Sequence, residues 1–256
     1  MKRPFRTGMG KLLLALVLLG CQPRVWQATP GLVQTEVPVD KSIPADAATE
    51  AIIAPYRAQY NANMTEVLGT APEELTKGDY QSPLANFVVD LLLYQGRQLY
   101  GQPLDLAVTN KGGLRAPLPK GPVRLEHVYE VVPFENELVV LTLDGATVQE
   151  LFDFAAASKI AHFANATYTV QNGKATDIKI GGKPFNPNRT YNVLTSDFLQ
   201  HGGDNMTMLG KAQASAKVGM LLRDAIIKHI REQTAAGRPI TADTRSRVTV
   251  LPSPAP

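Results

Sequence analysis

Apolar residues at Ile52, Ile53, Tyr56, Tyr60, Met64 and Leu68 recur at intervals of three and four, which predicts a first amphipathic helix over residues 45–67. Ser82-Pro83 reads as an N-cap followed by proline at the first helical position. Leu84, Phe87, Val88, Leu91 and Leu92 line one face of the helix it opens. Leu104–Thr109 is a buried strand, left by the loop Asn110-Lys-Gly-Gly113. Arg124–Glu130 suits a short helix, Glu137–Leu143 a strand, Asp144-Gly145 a turn and Thr147–Ser158 a helix. Thr167–Val170 and Thr176–Ile180, joined at Asn172-Gly173, carry the strongest hairpin signal. Tyr191–Thr195 is a further strand, Gln200-His-Gly-Gly-Asp204 a loop, Ala214–Gln233 a long helix and Arg247–Leu251 a closing strand. Helices and strands alternate while the hairpin requires antiparallel pairing, so the expected class is mixed α+β.

The ends of the chain have a different pattern. Residues 1–20 combine a basic start (Lys2, Arg3, Arg6) with the short apolar run Leu12–Leu19, a signal peptide too short to span a bilayer. The ending Leu18-Leu19-Gly20-Cys21 resembles the lipobox of bacterial lipoproteins, which implies acylation of Cys21 and attachment to a membrane surface. Gln22, where an aspartate retains such proteins at the inner membrane, favours the outer one. The alternative is an ordinary signal peptide with an incidental cysteine. Residues 21–41, with Pro23, Pro30 and Pro38, form a tether, residues 42–251 one domain and residues 252–256 a tail.

Charge changes the picture less than it first suggests. Among 256 residues, 26 Lys+Arg stand against 23 Asp+Glu, a net +3. Four of those cations, Lys2, Arg3, Arg6 and Lys11, fall in the leader, and the remainder is nearly neutral, which removes the electrostatic case for nucleic acid. One cysteine excludes an internal disulfide, and His127, His162, His201 and His229 are scattered without metal-ligand spacing.

Three glycine- or proline-bearing loops carry candidate chemistry. In Thr109-Asn-Lys-Gly-Gly-Leu-Arg115, paired glycines admit backbone donors to an anion and an arginine can grip it, or the segment is a tight turn with a surface Arg. In Val132-Pro-Phe-Glu-Asn136 an aromatic precedes a strand, a position that is usually core. In Ser196-Asp-Phe-Leu-Gln-His-Gly-Gly-Asp204, the carboxylate of Asp204 can accept from two neighbouring hydroxyls, or be a solvated turn residue.

In order along the chain stand Ser82-Pro-Leu-Ala-Asn86, Asn110-Lys-Gly-Gly-Leu-Arg115, Pro133-Phe-Glu-Asn-Glu-Leu138, Leu143-Asp-Gly145, Gly182-Lys-Pro184 with Tyr191, and Phe198-Leu-Gln-His-Gly-Gly-Asp204. This series resembles the C-terminal, substrate-binding domain of two-domain 5′-nucleotidases of the metallophosphoesterase type, over roughly residues 45–250. The resemblance implies helices packed on a mixed sheet, and a nucleobase sandwiched between Phe134 and Phe198. It implies ribose hydroxyls on Asp204, Asn136 near the base, and Arg115 and Asn110 toward the phosphate, with Gly112 and Gly113 bringing backbone donors close. One departure is that no arginine lies between Arg57 and Arg97, where the family has one or two, so Lys77 or Lys111 would supply that charge.

The family's hydrolytic domain, with its paired metals, has no counterpart among the motifs of this sequence. The resemblance therefore implies a recognition part that holds an AMP- or adenosine-like ligand, has no catalytic residue or cofactor of its own, and works with a separate metallophosphoesterase chain that carries divalent metals. The alternatives are a stand-alone nucleoside- or nucleotide-binding lipoprotein and a structural envelope module. An exported protein, lipid-anchored through Cys21 in the bacterial envelope, is expected in each case.

Overall fold

The computed structural model describes residue 40 and residues 42–252. The predicted leader, Cys21, the rest of the tether and residues 253–256 lie outside the described residues. The chain falls into two units, residues 1–50 and 51–256. In the first, the carboxylate of Asp46 accepts from the amide and hydroxyl of Thr49 and caps the start of α1 (Ala47–Met64). The periodic residues Ile52, Ile53, Tyr56 and Tyr60 are all exposed, so this helix does not bury the face its pattern predicts. Leu68, counted with that face, instead belongs to β1 (Val67–Ala71).

In the second unit, helix α2 (Pro83–Tyr100) starts as its sequence demands: the Ser82 hydroxyl accepts from the Ala85 amide at 3.2 Å, and Pro83 occupies the first turn. Strands β2 (Leu106–Asn110) and β3 (Gly121–Arg124) follow, β3 pairing antiparallel with β1. Helix α3 (Leu125–Val131) leads to β4 (Glu137–Asp144) and α4 (Gly145–Ser158), whose first turn is capped by Asp144 accepting from the Thr147 amide at 2.7 Å. Glycine is required at 145 by close approach, because a Cβ there would lie 2.2 Å from the Pro187 carbonyl oxygen.

Strands β5 (Ala161–Ala164), β6 (Ala166–Gln171), β7 (Lys174–Ile180), β8 (Lys183–Pro184) and β9 (Thr190–Ser196) come next. The β6–β7 hairpin turns at Asn172 (φ 51°) and Gly173 (φ 73°), the left-handed pair that its sequence signals. After the one-turn helix α5 (Asp197–Gln200), strand β10 (Ala214–Leu221) precedes α6 (Leu222–Ala235), and β11 (Val248–Val250) closes the chain.

The long helix expected over Ala214–Gln233 is therefore wrong in its first part. Ala214–Leu221 pairs antiparallel with β4, Val218 and Met220 pack against the core on alternate positions, and Gly219 sits at φ 77°, which no helix interior accepts. Strands β1, β3, β5 and β8 also go beyond what the pattern predicts. Ala161-His-Phe-Ala164 is too short and too poor in β-branched residues to announce a strand, although all four residues are buried.

The class is mixed α+β, as the pattern predicts. A five-stranded sheet of order β10-β4-β9-β2-β5 is antiparallel except for β9–β2, and a four-stranded sheet of order β11-β6-β7-β8 has its one parallel pair at β11–β6. The larger sheet buries both faces. Ala107, Leu138, Val140, Ala164 and Leu194 meet α2, α3 and α6, while Leu106, Val108, Val139, Leu141 and Val193 meet α4 and the smaller sheet. This two-sided burial explains the near-continuous apolar runs of β2 and β4.

Candidate functional site

Strand register brings the three candidate loops to one end of the central sheet. Strands β4 and β9 are antiparallel with Leu138 opposite Ser196, so the loop entering β4 and the loop leaving β9 emerge together. Strand β2 lies parallel to β9, so the loop leaving β2 emerges there too. Residues far apart in sequence are thus neighbours by pairing alone.

Asn110, the buried last residue of β2, donates from Nδ2 to Asp204 Oδ2 at 2.6 Å. The adjoining glycines are needed for space. A Cβ on Gly112 would lie 2.4 Å from Asp204 Oδ2, and one on Gly113 would lie 2.7 Å from Asn110 Oδ1. Asp204 itself has φ 50° and ψ 33°, a left-handed conformation that aspartate tolerates but that costs on the order of 1 kcal/mol. The strain turns its carboxylate back onto the first loop. Among the described residues nothing else bonds that carboxylate, so its Oδ1 has no hydrogen-bond partner there.

Both phenylalanines face solvent, Phe134 at 43% and Phe198 at 44% exposure, so the core reading of Phe134 fails. Phe198 stands on α5, capped by the Ser196 hydroxyl, and its ring lies so close over Gly203 that a Cβ there would be 2.3 Å from it. Asp197, which the sequence reading passed over, ties the two aromatic loops: its Oδ1 accepts from the amides of Glu137 at 3.1 Å and Phe198 at 2.8 Å. Asn136 is half-buried and held through its backbone, its carbonyl accepting from the Leu222 amide at 2.8 Å.

A cationic group flanks the first loop. Arg115 is exposed, donates from Nη1 to the Gly112 carbonyl at 3.2 Å, and is pinned through its amide to the Val131 carbonyl at 2.8 Å. Lys111 pairs with Asp79 at 2.6 Å. Partial burial, and then the charges of Arg115 and Lys111, lower the pKa of Lys77 below the ordinary lysine value. Three cations, Lys77, Lys111 and Arg115, thus share one neighbourhood.

The histidines serve structure. His127 Nδ1 accepts from the Arg124 amide at 3.0 Å, His201 Nδ1 donates to the Asp197 carbonyl at 2.6 Å, and His229 packs edge-on against Phe87 and Tyr94. Among the described residues, no three His, Cys, Asp or Glu side chains are grouped to hold a metal ion.

His162, on β5 opposite Thr109, is buried, with Nδ1 on the Tyr80 carbonyl and Nε2 without a partner among the described residues. Burial pushes its pKa down to about 4, against the opposing pull of that carbonyl. The fold therefore favours neutral imidazole, and its stability falls as pH drops from about 6.5 to about 4, by on the order of 3 kcal/mol. His162→Gln is expected to flatten melting temperature against pH across that window. An unchanged slope would move the acid sensitivity to His229, whose pKa burial also lowers. Asp243 does not compete in that window, since Arg245 holds it down to about 2.

Exposed rings, a strained carboxylate and a cationic flank thus meet at one end of a two-sided sheet in a domain of the α+β class. Comparison with known proteins makes this specific. Residues 63–211 match the family described as 5′-nucleotidase, C-terminal domain, and the chain belongs to that family. Protein UshA of Yersinia enterocolitica is 25% identical over 188 residues, covering 72% of this chain and 34% of its own length. Cell wall protein Lmo0130 of Listeria monocytogenes is 28% identical over 195 residues, 70% of this chain and 25% of its own. The 5′-nucleotidase precursor of Thermus thermophilus superposes with a TM-score of 0.70 at 26% identity, over 81% of this chain and 43% of that one. The chain spans about a third of the Yersinia relative.

Proposed function

We propose that this protein is the nucleotide- or nucleoside-recognition part of a 5′-nucleotidase system, working with a separate metallophosphoesterase chain that supplies divalent metals and the hydrolytic step. The base stacks between Phe134 and Phe198, Asp204 Oδ1 accepts from the ribose hydroxyls, and Asn136 meets the base edge. Asn110, the Gly112-Gly113 turn and the cations Arg115, Lys111 and Lys77 lie toward the phosphate. The observation that carries this reading is the junction of Asn110, Gly112 and Asp204, which joins the first loop to the loop of Phe198 and engages one carboxylate oxygen, at the sheet end where Phe134 and Phe198 are both exposed. Export and lipidation at Cys21 would place the protein in the bacterial envelope, in keeping with a relative named as a cell wall protein.

The mature chain with AMP and Mn²⁺ or Zn²⁺ is expected to release no phosphate alone and to raise the rate of a co-expressed metallophosphoesterase. Hydrolysis by the chain alone would overturn the division of labour. Stacking contributes about 1–3 kcal/mol per base, so Phe134→Ala and Phe198→Ala are each expected to weaken adenosine binding about tenfold by calorimetry. Unchanged affinity in both would favour a structural envelope module.

A second reading, a stand-alone nucleoside-binding lipoprotein, draws on the state of the cations. Lys111 is committed to Asp79 and Arg115 to a backbone carbonyl, so less charge is free for a phosphate. Equal affinity for AMP and adenosine would favour it, whereas clearly tighter AMP favours the nucleotidase partner.

A further inference from the structure

Arg223, in the first turn of α6, is a charged residue only 6% exposed and takes no part in the loops singled out above. A buried guanidinium is costly unless its surroundings repay desolvation, so its contacts call for explanation. Its guanidinium carbon lies 4.2 Å from the centre of the Tyr129 ring on α3. Nη1 points at the carbonyl oxygens of Pro133 and Phe134, at 3.4 and 3.5 Å, and Nη2 lies 3.7 Å from the exposed carboxylate of Glu135. The preceding residue, Leu222, donates its amide to the Asn136 carbonyl. Every residue from Pro133 to Asn136 is therefore engaged by the first two residues of α6.

We infer that Arg223 is a positioning residue that fixes Phe134 as one wall of the ligand site by holding the Pro133 and Phe134 carbonyls, with Tyr129 setting the plane of its guanidinium. This rests on the reading of Phe134 as a base-stacking ring. The other ties of this loop, Leu222 to Asn136 and Asp197 to Glu137, lie beyond the ring, whereas Pro133 has no amide hydrogen to donate and Pro133, Phe134 and Glu135 are exposed. The planar fork divides its contacts, Nη1 toward the two carbonyls and Nη2 toward Glu135, while its face stacks on Tyr129, a combination that an ammonium does not offer.

The test needs a reporter on the ring itself. In a Trp26→Phe background, which removes the chain's one tryptophan, Phe134→Trp makes emission anisotropy a direct measure of ring mobility without ligand. Adding Arg223→Gln is expected to lower that anisotropy, and Arg223→Lys to restore part of it. In the Phe134 protein, Arg223→Gln is expected to weaken adenosine binding nearly as much as Phe134→Ala, and to weaken it no further when the two are combined. Unchanged anisotropy in Arg223→Gln, or additive losses in the double variant, would overturn the assignment. Should Arg223→Gln not fold, Tyr129→Leu keeps the guanidinium and removes its platform. It is expected to lower anisotropy in the same direction, and an unchanged value there also overturns the proposal. If the unmodified protein binds no adenosine, the base-stacking reading fails, and ligand-free anisotropy still decides the role of Arg223.

Discussion

Asp204→Ala is expected to weaken adenosine binding roughly a hundredfold, the largest loss from any single change at the site. A hydrogen bond to an ionised carboxylate is worth about 1.5–3 kcal/mol, two sharing one oxygen are worth less than twice that, and alanine removes the Oδ1 that both ribose hydroxyls would use. The effect on the fold should be small. Alanine at φ 50° is strained by about 1 kcal/mol, and Asn110 loses its partner, so melting temperature drops by a few degrees. Asp204→Asn keeps the shape without the charge and should fall between. The informative comparison uses 2′-deoxyadenosine: the unmodified protein should prefer adenosine by calorimetry, and Asp204→Ala should not distinguish the two. A preference that survives in the variant would show that another group reads the ribose.

Phe152→Ala should be the most damaging single substitution for stability, at about 3–5 kcal/mol. This ring, fully buried on α4, stacks on Phe163 with centroids 4.4 Å apart and meets Tyr168 edge-on at 5.4 Å. It joins the central sheet to the smaller one, so the cavity would open where three elements meet. Urea unfolding should show the loss as a lower midpoint, with a melting temperature lower by about 10 °C. A cost below about 1 kcal/mol would mean that the two sheets close over the gap.

Local chemistry made part of this architecture readable from sequence. Ser82-Pro83, Asp144 and Asn172-Gly173 each act within four residues of themselves, and each does in the structure what its residue type predicts. The apolar stretch Ala214–Leu221 failed the same treatment because its conformation is decided by the edge of β4, some 75 residues earlier, and by a left-handed glycine. At the candidate site the loops were visible as punctuated segments after apolar runs. Their convergence was not, since it follows from the β4–β9 and β2–β9 registers. Asp197 and Arg223 are silent in the sequence for a related reason: their partners lie 60 and about 90 residues away, and nothing next to them in sequence announces a role. The exposure of Phe134 removes its core reading, and composition alone does not report it.

The single carboxylate oxygen of Asp197, shared by the amides at the start of β4 and the start of α5, has a mechanical consequence. Neither aromatic loop can swing away from the sheet without stretching a bond that also anchors the other. Displacement of one segment is therefore felt by the other at this oxygen. If Phe134 and Phe198 wall a ligand site as proposed, part of their spacing is set by the scaffold before any ligand arrives.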